Sequence, residues 1–172
     1  QSTRSNYCGV YSTGMLLSLL GLATSRRQAL ALFNLGRSNP HYPGSTHPEM
    51  ACAFAGAAGA TRWRWQFYVR FDFAAVARSL RAHFRATGRP TLLSFGAVHR
   101  NGVWRCTHVA VAVAAGTELI ALLDPLGFEP PAGGANVWLR RTGGAVRVAG
   151  SSYSLHLKSE AAVLRWAAGE TR

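Results

Sequence analysis

Two hydrophobic periods divide this chain, helical in its first third and mostly alternating beyond it. Val10, Met15, Leu16, Leu19 and Leu20 recur at helical spacing between Gly9 and Leu20, and Gly21 supplies a stop, which predicts an amphipathic helix. Ser25 reads as the N-cap of a second helix running to Leu35 and ended by Gly36. Arg37 to Thr46, with Pro40, Pro43 and Gly44, is a loop, and Pro48 opens a small-residue helix through Ala55 that Gly56 and Gly59 close. Trp63, Trp65, Phe67, Val69 and Phe71 then alternate with Arg62, Arg64, Gln66, Tyr68 and Arg70, the pattern of a strand with its aromatic side buried and its arginines solvated.

Asp72 is placed to cap the next helix, whose core stripe is Phe73, Val76, Ala77, Leu80 and Phe84, with Arg78, Arg81 and Arg85 opposite. From Pro90 the alternation predicts strands over Thr91–Ala97, Val103–Ala114, Glu118–Asp124, Val137–Arg141, Ala145–Val148 and Tyr153–Leu157. Asn101-Gly102 is a hairpin signal, and Gly133-Gly134 and Gly143-Gly144 read as turns. A last short helix is expected over Ser159–Ala168. Helices followed by a mostly antiparallel sheet make an α+β domain.

At 172 residues and 48% hydrophobic, the chain suffices for one domain with a substantial core. No run of 18 apolar residues exists to span a membrane. Beginning at Gln1 rather than Met, it reads as the catalytic part of something longer. Three cysteines form no disulfide framework and point to a reducing working environment, a bacterial cytoplasm or the cytosol of a host cell entered after secretion. The net charge of +12 is almost entirely arginine, Lys158 being the one lysine. That excess favours acidic partners: an acidic protein, an anionic membrane surface or, with less support, nucleic acid.

The chemistry concentrates in three residues. Cys8 stands at the first turn of the first helix, where the dipole and unpaired N–H groups favour a thiolate. His108 lies on a strand whose period of two puts Cys106, His108, Ala110 and Ala112 on one face, paved with small side chains that let a helix approach closely. If Ala115-Gly116-Thr117 is the following hairpin loop, Ala114 faces Glu118 and His108 faces Asp124, with Cβ atoms roughly 5 Å apart. Asp124 is one of two aspartates, and the other, Asp72, is explained as a cap. A thiolate nucleophile, an imidazole that holds the proton and a carboxylate that fixes its tautomer form a nucleophilic triad. The oxyanion needs the Cys8 N–H and a further donor, for which Gln1 and Asn6 are candidates. Cys52 reads as helix core. Cys106 lines the site; a Cys-x-His metal pair with His108 lacks a second pair, so neither metal nor cofactor is implied.

Gln1…Asn-Tyr-Cys8-Gly, Thr107-His108-Val-Ala-Val-Ala-Val and Leu122-Leu-Asp124-Pro-Leu-Gly127 resemble, in order and type, the motifs of papain-like cysteine peptidases, closest to the C39-like group. The likeness spans Gln1 to Gly127 and departs at Gln1, which precedes the cysteine by seven residues where that family uses six. Bacterial effector peptidases and glutamine deamidases are similar in the same looser way. The resemblance implies a nucleophile-bearing helix packed on an antiparallel sheet and amide hydrolysis of a protein or peptide through a thioester. Side-chain deamidation or transglutamination is the alternative within that chemistry. A non-enzymatic basic module binding nucleic acid or an anionic membrane is the alternative outside it.

Overall fold

The computed structural model describes residues 8–22, 46–58, 63–99, 105–127 and 134–166, together with positions 25, 27, 28 and 31. It contains α1 (Cys8–Leu19), α2 (His47–Ala58), β1 (Trp63–Tyr68), α3 (Phe73–Thr87), β2 (Thr91–His99), β3 (Arg105–Ala115), β4 (Leu119–Leu123), β5 (Val137–Thr142), β6 (Ala145–Ala149), β7 (Tyr153–Leu155) and β8 (Ala161–Trp166). The eight strands form one sheet in the order β1-β8-β2-β3-β4-β5-β6, with β7 beside β2 in line with β8, and every described pairing is antiparallel. The α+β class expected from the sequence is therefore the architecture found.

Both faces of the sheet are covered. On one, Phe73, Val76 and Leu80 of α3 pack over Leu93, Phe95, Ala110 and Ala112. On the other, Leu16 and Leu17 of α1 and Met50 and Phe54 of α2 pack over Leu92, Val109, Val111 and Leu164. Local chemistry sets the helix limits. Asp72 accepts from the amides of Ala74 (2.9 Å) and Ala75 (3.2 Å), and Gly88 ends α3 in the left-handed region. Thr46 and Glu49 cap α2 reciprocally: the Thr46 hydroxyl accepts from the Glu49 amide (3.3 Å) and the Glu49 carboxylate from the Thr46 amide (2.7 Å). That box starts α2 just ahead of Pro48, and the helix runs through Gly56 to Ala58 rather than stopping at it. Of the second helix expected from Ser25, the structure describes the Ser25 hydroxyl accepting from the Gln28 amide (3.2 Å). The rest of that helix, the loop before Thr46 and the Asn101-Gly102 turn lie outside the described residues.

Three expectations are corrected. The closing segment is strand β8, not a helix: the alanine-led run Ala161–Leu164 is buried between β1 and β2, where a strand alone can satisfy its backbone on both sides. Cys52 is exposed, because α2 packs through Met50, Ala53 and Phe54, which turns position 52 outward. In β1 only Trp63 is buried; it meets Phe54 (5.4 Å between centroids), whereas Phe67 and Val69 are 58% and 84% exposed. The alternating pattern is real, but β1 is an edge strand and the cover of α2 ends at Trp65, whose indole donates to the His47 carbonyl (2.6 Å). Among the described residues no helix is long and apolar enough to cross a membrane.

The glycine preceding β7 supplies a test of this packing. Gly150 has φ +86°, and a Cβ there would lie 2.1 Å from the Asn136 carbonyl oxygen. Gly134 has φ +83° with nothing within 4 Å of the same position. Gly134→Ala should cost about 1 kcal/mol, the backbone penalty alone, and Gly150→Ala at least about 2 kcal/mol more through the clash. Urea unfolding of the two variants measures the difference.

Candidate active site

The helix that bears Cys8 meets the sheet where a strand is missing. β4 pairs with β3 only from Val111↔Leu123 toward the turn, so it never reaches Thr107 or Val109. The start of α1 takes its place. The Ser12 hydroxyl donates to the Val109 carbonyl (2.7 Å), and the Cys8 sulfur lies 3.8 Å from the Thr107 carbonyl. The approach is close because the buried face of α1 opens with Gly9, Ser12 and Thr13 before Leu16 and Leu17. Sequence periodicity had put Leu19 on that face; it is 49% exposed, since hydroxyl and glycine positions carry the contact instead.

His108 is fully buried on the opposite face of β3, against Phe95 (5.5 Å between ring centroids) and Tyr153 (5.1 Å). The alanine-paved face was expected to receive α1. It receives α3, and α1 lies over Val109 and Val111, whose larger apolar area suits its leucines. The thiol therefore approaches the imidazole around the strand edge at Thr107 rather than from directly above it.

Asp124 reaches His108 by a register other than the expected one. The hairpin closes on Ala115↔Ile120, with the Gly116 amide donating to the Leu119 carbonyl (2.7 Å). Continued unbroken, that register sets Asp124 against Val111, on the wrong face. A bulge between Ala112 and Ala114 inserts one residue into β3 and restores parity. Asp124, following the Val111↔Leu123 pair, then falls diagonal to His108 rather than directly opposite. Imidazole Nε2 lies 2.9 Å and 3.0 Å from its two carboxylate oxygens.

The carboxylate is also held from elsewhere. The Leu126 amide donates to Oδ1 (2.7 Å) and the Tyr153 hydroxyl to Oδ2 (2.5 Å). Asn136 locks the backbone around it, accepting from the Asp124 amide (2.8 Å) and donating to the Asp124 carbonyl (3.0 Å). Gly127 is required there, because a Cβ would lie 2.2 Å from the Asn136 side-chain nitrogen. Neither Tyr153 nor Asn136 was singled out in the sequence; the pattern around Tyr153 marks a strand and nothing in it marks a donor to Asp124.

The electrostatics follow. Burial alone would lower the His108 pKa, but the charge and hydrogen bond of Asp124, with help from Cys8, raise it to about 9. Burial pushes the Cys8 thiol up, yet its contact with His108 and backbone hydrogen bonds from Val109 and Gly9 bring it below its ordinary value. Nδ1 of the imidazole is buried without a hydrogen-bond partner in the structure. With Nε2 committed to Asp124, Nδ1 is the nitrogen left to exchange a proton with the thiol or with a bound substrate. Cys106, half-buried, is pushed up to about 12 by burial and by the neighbouring Cys8, so it stays a neutral thiol lining the site. The oxyanion candidates Gln1 and Asn6 lie outside the described residues. Among the described residues no group of three or more His, Cys, Asp and Glu side chains could hold a metal ion.

Compared with known proteins, the chain matches no family model, no curated protein and no solved structure.

The raised pKa of His108 fixes a pH dependence. The folded value lies above the ordinary 6.5, so the stability it contributes is fully present below about pH 6.5 and is lost as pH rises through about 9. In Asp124→Asn burial is opposed by Cys8 alone, so the His108 pKa should fall well below about 9 and the alkaline loss should shift to lower pH. NMR titration of the His108 ring and urea unfolding between pH 6 and 10 measure both.

Proposed function

We propose that the chain is a papain-like thiol hydrolase that cleaves a peptide or isopeptide bond in a protein through a thioester on Cys8. The observation that carries this reading is the buried Asp124–His108 pair, joined through Nε2, beside a thiol at the first residue of a helix. Each member does what the chemistry needs. Held by Asp124, the ring keeps Nε2–H toward the carboxylate and Nδ1 toward the sulfur. The Cys8 pKa is lowered and the His108 pKa raised, shifts that both move the pair toward thiolate and imidazolium.

In the acylation step, the Cys8 sulfur bonds to the carbonyl carbon while the C–N bond breaks, and the imidazolium gives its Nδ1 proton to the departing amine. In deacylation, neutral His108 takes a proton from water, whose oxygen displaces the sulfur. The developing oxyanion faces the amide of Cys8, which as the first residue of α1 has no acceptor within the helix. The same groups hydrolyse a glutamine side chain if that amide enters instead.

Cys52 supplies an internal reference for the test, being an exposed thiol far from this network in role. Iodoacetamide at pH 6 should alkylate Cys8 much faster than Cys52, and His108→Ala should abolish the difference while the fold persists. Equal rates for the two thiols would refute the proposal. For a substrate, Cys8→Ala should abolish turnover, His108→Ala should lower kcat by about 10³-fold or more, and Asp124→Asn by about 10²–10⁴-fold. Intact-mass spectrometry separates two fragments, from a peptidase, from a gain of about one mass unit, from a deamidase.

A further inference from the structure

A cavity of about 420 Å³ opens on the α1–α2 face of the sheet, and it begins one residue from the nucleophile. Thr107, whose carbonyl the Cys8 sulfur touches, forms one wall. Another wall is Phe67, near the end of edge strand β1, and Val69, just beyond it, apolar side chains left 58% and 84% exposed. Phe67 and Val69 make one side of the concavity apolar while His47, Ser94, Thr107, Ser159 and the two rim charges make much of the rest of its lining polar, and its volume lies in the usual range for ligand sites.

The wall is built rather than incidental. The His47 ring stands edge-on to Trp65 (4.6 Å between centroids) and to Phe67 (5.1 Å), and its Nε2 lies 3.0 Å from the Ser94 hydroxyl. Burial lowers the His47 pKa, against a smaller raising by the charge of Glu160 at the rim. The floor is small: Ser94 pairs across the sheet with Ala162, so nothing bulky rises from it. At the rim Lys158 and Glu160 oppose each other in sign. In a chain of net charge +12, this concavity is balanced in charge, which argues against a phosphate or nucleic-acid backbone as its occupant.

We infer that this cavity is a specificity pocket that receives a large apolar or aromatic side chain of the substrate, at a residue adjacent to the bond that Cys8 attacks. The inference rests on the hydrolase reading for its position relative to the chemistry, and on the cavity itself for its chemistry. Phe67 and Val69 contact the side chain, and His47 acts as a positioning residue that holds Phe67 in place.

Two measurements test it. In the first, the Cys8→Ala protein is titrated with N-acetyl-phenylalanine amide and with N-acetyl-alanine amide, followed by NMR. The aromatic probe should shift the amides of Thr107 and Ala162, the alanine probe should do so far less, and Val69→Arg should remove the response. In the second, the active protein is presented with a peptide library varied position by position. One position should favour Phe, Leu or Met over Ala by about tenfold or more in kcat/KM. Val69→Arg should shift that preference toward acidic side chains, and Phe67→Ala should flatten it. Both variants lie at exposed positions, so circular dichroism should be unchanged. Probe binding at Thr107 and Ala162 without cleavage of any peptide upholds the pocket and defeats the hydrolase reading. Cleavage with a preference that neither variant alters, or with no preference, overturns the pocket and leaves the hydrolase standing. Shifts spread over the surface, or none, also overturn the pocket.

Discussion

The site depends on one carboxylate that the sheet must hold inside itself. Asp124 is 3% exposed, and a buried carboxylate is tolerable only where donors replace the water it has lost. Three donors do so here: the imidazole of His108, the amide of Leu126 and the hydroxyl of Tyr153. The tyrosine is an unfailing donor, because burial and the adjacent carboxylate push its own pKa well above the ordinary range. Around this centre the chain is tied by Asn136 from the start of β5, by Gly127 and by the Gly127↔Ser151 bridge. Segments far apart in sequence thus converge on one group, which makes the geometry of His108 a property of the whole sheet rather than of one hairpin.

The helix that carries the thiol obeys a different constraint. It must come near the edge of β3 without inserting a side chain between the cysteine and the strand. Gly9, Ser12 and Thr13 meet that need, and the Ser12–Val109 hydrogen bond fixes the helix along the strand. Leucines at the second half supply the apolar burial that the first half forgoes. Cys8 and His108 therefore sit on opposite faces of the sheet and meet only at its edge, where β4 has left room. A longer β4 would cover Thr107 and Val109 and exclude the thiol.

This division explains what could be read from the chain. Cys8, His108 and Asp124 were legible because of where their types fall: a cysteine at a helix start, two aspartates, one of them a cap, and a histidine opening an apolar run on a strand. That Asp124 and His108 share a face was legible, but the reason was not. A three-residue turn and a four-residue turn followed by a bulge place the aspartate on the same side, and alternation alone cannot separate them. The helical reading of Ala161–Trp166 failed because alanine propensity is weak against a vacant place between two strands. The buried side of β1 was half right, since period two identifies a common face but not how far a neighbouring helix extends over it. Tyr153 and Asn136 carried no local signal; their roles arise from contacts across 29 and 12 residues of chain.

The failure at β1 bears on function more than the others do. Had α2 covered the whole aromatic face, Phe67 and Val69 would belong to the core and the sheet beside Thr107 would be closed. Because the capping box of Thr46 and Glu49 starts α2 where it does, its cover ends at His47 and Trp65, and the apolar pattern continues into solvent. His108 and Asp124 are held by β3, β7 and the end of β4 and the exposed wall by β1 and α2, so the two share the strand edge at Thr107 and the neighbouring β2 residues Ser94 and Phe95. Side chains at positions 67 and 69 can therefore vary without disturbing Asp124 or His108. On the hydrolase reading, such an arrangement lets substrate preference change by surface substitution while the buried network that sets the proton chemistry stays as it is.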